Sequence, residues 1–184
     1  MRALIKKTPL RRDCLDINEI IREVIELIHS EAVTNGVSVR AGLADGLPRV
    51  QGDRMHLQQV ILNLIINAVE AMSSMSDGSR ELLVSSSKAE IGVLVMVRDS
   101  GPPVAPGALM RAFDAFYTTK PSGLGLELSI CREIIEAHGG RLWASPNRAR
   151  GATFQFIVGE GSPIDTHSAA TVRKMRATGT EISA

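Results

Sequence analysis

Aromatic residues are scarce in this chain of 184 residues: one tryptophan, one tyrosine and four phenylalanines, 3% of the total. Its core must therefore be aliphatic, and the length suits one domain large enough to bury such a core. Cysteine is nearly absent too. Cys14 and Cys131 are the only two, which leaves no disulfide framework or cysteine-based metal site and fits a reducing cytoplasm. Charge of one sign is also missing: 21 basic residues stand against 20 acidic ones, a net charge of +1, where a general nucleic-acid binder carries a strong basic excess. The longest unbroken apolar run is Val93 to Val97, far short of the ~20 residues that span a bilayer. The basic start MRALIKKTPLRRD has no apolar stretch of signal-peptide length after it. These absences point to a cytoplasmic domain that touches neither nucleic acid nor membrane.

What is present is strong periodicity. Asp16 and Glu19 have capping-box spacing ahead of Ile20, Ile21, Val24, Leu27 and Ile28, which predicts a helix over 17–34. Val37, Val39 and Ala41 alternate as in a short strand, and 42–52 reads as loop. Asp53 then precedes Leu57, Val60, Ile61, Leu64, Ile65, Ala68, Val69 and Met72, the clearest helical rhythm in the chain. Two adjacent strands follow over 82–86 and 91–97. From Gly101 to Gly125 prolines and glycines dominate, and so long an irregular stretch is often a lid or binding loop. A third helix over 126–137 stops at His138-Gly139-Gly140, and strands over 141–144 and 153–158 complete the order. The tail from 159 to 184 is expected to be disordered. Hairpins mixed with helices imply an α+β sandwich, a mixed sheet covered by helices on one face.

Three groups of residues could bear chemistry. Asn63 and Asn67 lie one turn apart on a single helix face. Their amides either offer neutral oxygens to Mg²⁺ or satisfy backbone groups. Asp99-Ser-Gly101 ends a buried strand, where a carboxylate can accept from an exocyclic amine and a glycine lets a flat ring approach. Gly123-Leu124-Gly125 precedes a helix, whose free N–H groups suit phosphate.

The order LQQVILNLIINAVEAM, RDSGPP, FDAFYTTK, SGLGLELSICREIIEAHGGRLWA and GATFQFIV closely resembles the N, G1, F and G2 boxes of the ATP-binding domain of sensor histidine kinases, in the style of oxygen- and nitrogen-sensing two-component kinases. The resemblance covers 16–158, leaving 1–15 as an expected linker remnant after a dimerisation helix. It implies the Bergerat type of sandwich with an ATP lid, and Mg-ATP as cofactor. Asn67 then matches the magnesium-binding asparagine and Asn63 its companion near the phosphates. Asp99 matches the adenine-amine acceptor, with Gly101 beneath the base and Thr153 close by on the neighbouring strand. Phe113 and Phe116 resemble anchors of the lid. Thr119, Lys120, Gly123, Leu124 and Gly125 are implied nucleotide contacts, with Lys120 reaching a phosphate and, together with Asn63, assigned to catalysis. Related ATPases place a glutamate where this chain has Asn63. A neutral amide is no general base, so the resemblance implies phosphoryl transfer to a histidine rather than hydrolysis.

Two positions depart from the pattern. Pro103 replaces the second glycine of the G1 box, removing an N–H and fixing φ, and Glu127 replaces the third glycine of the G2 box, setting a carboxylate where the triphosphate should lie. No histidine has the acceptor context, neither His29, His56, His138 nor His167. The expected partners are therefore a histidine-bearing dimerisation domain and a response regulator. The rival reading is a degenerate domain that keeps the fold, binds nucleotide weakly and serves as an interaction module.

Overall fold

The computed structural model describes residues 12–114 and 127–160. Five strands form one mixed sheet in the order β2-β4-β5-β7-β6: β2 (Ser38–Leu43), β4 (Glu81–Ala89), β5 (Gly92–Asp99), β7 (Ala152–Gly159) and β6 (Arg141–Pro146). β2 and β4 run parallel, and every other pairing is antiparallel. Alternation sends Leu82, Val84, Val93, Val95, Val97, Phe154, Phe156 and Val158 inward, where all are buried. Leu83, Leu94, Met96, Gln155 and Ile157 face the other way and are only half-buried. One face of the sheet therefore bears the helices, as the sandwich requires.

The covering layer is α1 (Ile17–Leu27), α2 (His29–Thr34), α3 (Arg54–Ser73) and α5 (Glu127–Ala137). Asp16 caps α1, accepting from the N–H groups of Asn18 and Glu19, and Asp53 caps α3 in the same manner through Met55 and His56. The eight apolar positions read from the rhythm of α3 are all buried. Asn18 is a buried polar exception with full partners: its Nδ2 donates to Ala44 O at 2.8 Å and its Oδ1 accepts from Ser86 Oγ at 2.6 Å.

The structure corrects the expected boundaries at several points. The first helix is two, because Ile28 leaves helical geometry at ψ 0°. The segment 42–52 is not all loop, since β3 (Val50–Gly52) pairs antiparallel with β1 (Asp13–Leu15). Residues 13–15 thus belong to the folded unit rather than to a linker. The irregular stretch after Gly101 contains a short helix, α4 (Pro106–Arg111).

His138 joins the end of α5 to the start of α3. Its Nε2 accepts from the Asp53 N–H at 2.9 Å while Nδ1 lies 2.7 Å from Ile134 O, so a neutral ring with its proton on Nδ1 serves both. A side chain at Gly52 would meet this ring at 2.7 Å.

Candidate functional site

Asp99 is the final residue of β5, on the helix-covered face and 5% exposed. The β5–β7 ladder ends at Arg98 opposite Thr153, and beyond it Asp99 meets β7 through its side chain. Oδ1 accepts from the N–H of Gly101 at 2.8 Å and of Ala152 at 3.2 Å. Burial pushes the Asp99 pKa above the usual carboxylate value, and these backbone donors oppose the rise.

Two glycines make room for that carboxylate. A Cβ at Gly101 would stand 2.7 Å from Oδ1, and one at Gly151 2.6 Å from it. Gly151 also holds φ +79°, a left-handed conformation that side chains disfavour. Between them Ser100 pins the turn: its Oγ donates to Ser79 O and accepts from the Glu81 N–H, both at 2.8 Å.

Helix α3 supplies the floor. Asn63, Asn67 and Ala71 follow at intervals of four and share one face. At one end, a Cβ at Gly101 would stand 3.7 Å from Ala71 Cβ. At the other, the Asn63 side chain lies near the thiol of Cys131 on α5 and favours its charged form. Burial pushes that thiol up to about 11, opposed by Asn63 and assisted by the charge of Glu127. Asn67 lies between these two ends, half-buried. The described stripe thus leads from the buried carboxylate of Asp99 toward the first turn of α5, whose opening residue Glu127 is exposed.

Phe113 is buried, its ring edge-on to Phe154 at 6.1 Å with the Arg132 guanidinium 4.4 Å above. Phe116, Thr119, Lys120, Gly123, Leu124 and Gly125 lie outside the described residues.

Thr153 requires a correction. It pairs with Arg98, one position short of Asp99, so the two-residue period of the strand turns its side chain to the opposite face. Its hydroxyl donates to Asn147 Oδ1 at 2.6 Å. The group that reaches the Asp99 carboxylate from β7 is instead the backbone N–H of Ala152.

Sequence reasoning passed over Asn147. Its Nδ2 donates to Asp99 O at 2.7 Å and lies 3.4 Å from Ala152 O. A single asparagine between Pro146 and Arg148 reads as ordinary turn chemistry, and only the tertiary contact distinguishes it. Among the described residues no three His, Cys, Asp or Glu side chains gather where they could hold a metal ion, and no helix is long and apolar enough to cross a membrane.

Comparison with known proteins gives a consistent picture. Residues 52–161 match the family model described as histidine kinase-, DNA gyrase B-, and HSP90-like ATPase. The sensor protein FixL of Bradyrhizobium diazoefficiens is 40% identical over 143 residues, 77% of this chain and 28% of FixL. The catalytic domain of the histidine kinase ThkA superposes with a TM-score of 0.72 at 34% identity, covering 82% of this chain and 96% of that domain. ThkA has also been solved in complex with the response regulator protein TrrA, with 33% identity, a TM-score of 0.70, and 83% and 42% of the two chains covered. Full-length ShkA, solved in complex with AMPPNP, matches at 31% identity and TM-score 0.72, over 84% of this chain and 33% of that one. The chain spans 16% to 33% of the length of curated sensor kinases that it matches. On the family match and the ThkA domain together, this chain belongs to the histidine kinase-, DNA gyrase B- and HSP90-like ATPase family, as the catalytic ATP-binding domain of a sensor histidine kinase.

Proposed function

We propose that the domain holds Mg-ATP with its adenine on Asp99 and its phosphates over the α3 stripe, and presents the γ-phosphoryl group to a histidine on a separate dimerisation domain. The observation that carries this reading is the Asp99 carboxylate. The bonds from Gly101 and Ala152 both fall on Oδ1, which leaves Oδ2 to accept the exocyclic amine. The AMPPNP held by ShkA supports the same ligand class. Adenine then stacks where Gly101 lacks a side chain, above Ala71.

Magnesium fits the donor set. Mg²⁺ bound to phosphates takes few protein oxygens and keeps several waters, and Asn67, half-buried on the stripe, offers one neutral amide oxygen; when bound, the ion neutralises charge on the phosphates. Asn63, near the Cys131 thiol, has no basic group with which to activate water, so transfer to a protein acceptor is favoured over hydrolysis. An ATP-dependent role supports a cytoplasmic location for the domain. The ThkA–TrrA complex supports a response regulator as the downstream partner.

Calorimetric titration with AMPPNP, with and without Mg²⁺, tests the reading. Binding strengthened by Mg²⁺ in the wild type and much less in Asn67→Ala supports it; no binding under either condition supports the degenerate alternative. The chain itself is expected to gain no phosphohistidine when incubated with labelled Mg-ATP. His138 has both ring nitrogens engaged, and neither His29 nor His56 carries acceptor context. Phosphohistidine that disappears on replacing any one histidine would overturn this expectation.

One observation favours the degenerate reading. Glu127 opens α5, and its charge stands in the turn whose N–H groups suit phosphate. Glu127→Gly is therefore expected to tighten ATP binding, by roughly fivefold if the charges lie ~4 Å apart in water-like surroundings, with a smaller change for ADP. The gain should fade as salt rises. Unchanged ATP affinity at low ionic strength would mean that the carboxylate points away from the phosphates.

A further inference from the structure

The turn between β6 and β7, residues 147–151, closes over the end of β5. Asn147 N–H donates to Gly151 O at 3.0 Å and Gly151 N–H donates to Pro102 O at 3.2 Å, while Pro103 bridges Gly151 in parallel. Asp99 is caught beneath this turn at a point where the regular ladder has already ended. Its carbonyl consequently has no strand N–H from β7 to bond, since the Ala152 N–H goes to the Asp99 carboxylate. The side chain of Asn147 supplies the missing donor, Nδ2 to Asp99 O at 2.7 Å.

The orientation of the amide is fixed by its other contacts. Asp99 O and Ala152 O can only accept, which requires Nδ2 on that side. Oδ1 is then left for the Thr153 hydroxyl, 2.6 Å away. Thr153, Asn147 and the Asp99 carbonyl thus form one relay from the uncovered face of the sheet to the end of β5. Main chain and side chain of Asp99 are held independently, the first by Asn147 and the second by two backbone N–H groups.

We infer that Asn147 is the positioning residue for adenine recognition: by clamping the Asp99 carbonyl through an amide oriented by Thr153, it fixes the direction in which Asp99 Oδ2 meets the exocyclic amine. The inference rests on the proposed role of Asp99. Asn147 itself touches no nucleotide. Without the clamp, Asp99 can rotate about its backbone, and the loss falls on discrimination of the base rather than on the phosphates.

The test compares ATP with inosine triphosphate, which has a carbonyl in place of the amine, on the whole chain. Wild type is expected to prefer ATP. Asn147→Ala should reduce that preference by roughly 2- to 12-fold, the worth of one neutral hydrogen bond, with affinity for inosine triphosphate nearly unchanged. Thr153→Val, which leaves the clamp in place but removes the hydroxyl that orients it, should give a smaller loss of the same kind. It serves as the readout should Asn147→Ala not fold. A merely structural role would lower both affinities in parallel with the melting temperature, and that result overturns the inference. So does an unchanged preference in both variants while Asp99→Asn abolishes it, an outcome that spares the adenine reading. A wild type without preference for ATP overturns that reading and this inference together.

Discussion

Asp99→Asn is expected to weaken ATP binding by roughly 10- to 150-fold, the worth of a hydrogen bond to a charged group at ~1.5–3 kcal/mol, without lowering the melting temperature of the free domain. The two effects separate because Oδ1 and Oδ2 have different work. Asparagine keeps an oxygen for Gly101 and Ala152, the two donors on Oδ1, and places an N–H₂ where the adenine amine needs an acceptor. Stability should even rise at neutral pH. Burial raises the Asp99 pKa in the folded state, so protons bind the folded form more tightly than the unfolded one. Stability from this group is then complete below the ordinary carboxylate value and is lost as pH rises through the folded value. The melting advantage of the variant should therefore be largest at neutral pH and shrink as pH falls toward ~3.9. Calorimetry and thermal melts at several pH values check both halves. A variant that melts lower at neutral pH yet binds ATP normally would refute the assignment.

Gly151→Ala should be more damaging, because it strikes fold and site together. The new Cβ would stand 2.6 Å from Asp99 Oδ1 and nearer still to the Asp99 carbonyl oxygen, and neither atom can move without breaking the bonds just described. The left-handed φ of +79° adds ~1–2 kcal/mol for any L side chain. At about 2–4 °C per kcal/mol for a domain of this size, a melting decrease of several degrees is expected, together with a loss of ATP affinity beyond about 100-fold. Gly36→Ala isolates the strain, since Gly36 has φ +63° with nothing within 4 Å of a Cβ. It should lose stability and keep ATP affinity. Retained ATP binding in Gly151→Ala would mean that Asp99 is not the residue that holds the base.

How far the sequence could be read depended on the length of each pattern. Helix α3 repeats its apolar rhythm from Leu57 to Met72 and carries a capping aspartate, and its buried face was readable residue by residue. β1 and β3 have three residues each, too few to show a period, and their pairing joins segments far apart in the chain. The split between α1 and α2 was hidden because the apolar spacing runs through Ile28. Helix α4 was lost among prolines, although Pro106 at its first turn is a permitted start. In the site, Asp99 and Gly101 were identifiable as a carboxylate and a gap at the end of a strand. Thr153 was misdirected, because only the register shows that it opposes Arg98 and not Asp99. Asn147 had no pattern of its own; its meaning comes from a carbonyl 48 residues away.

The thiol behind Asn63 gives the protein a built-in clock. Cys131 is fully buried and its pKa stands at about 11, so almost no thiolate exists in the closed molecule and no alkylating reagent can reach it. Cys14 is exposed on β1 and reacts at once. A second equivalent of label can enter only when α5 parts from α3, and with reclosing faster than alkylation its rate follows the population of that open form. Because the same separation would release Asn63, slower labelling of Cys131 in the presence of nucleotide would record, in minutes and hours, how firmly the ligand holds the two helices shut.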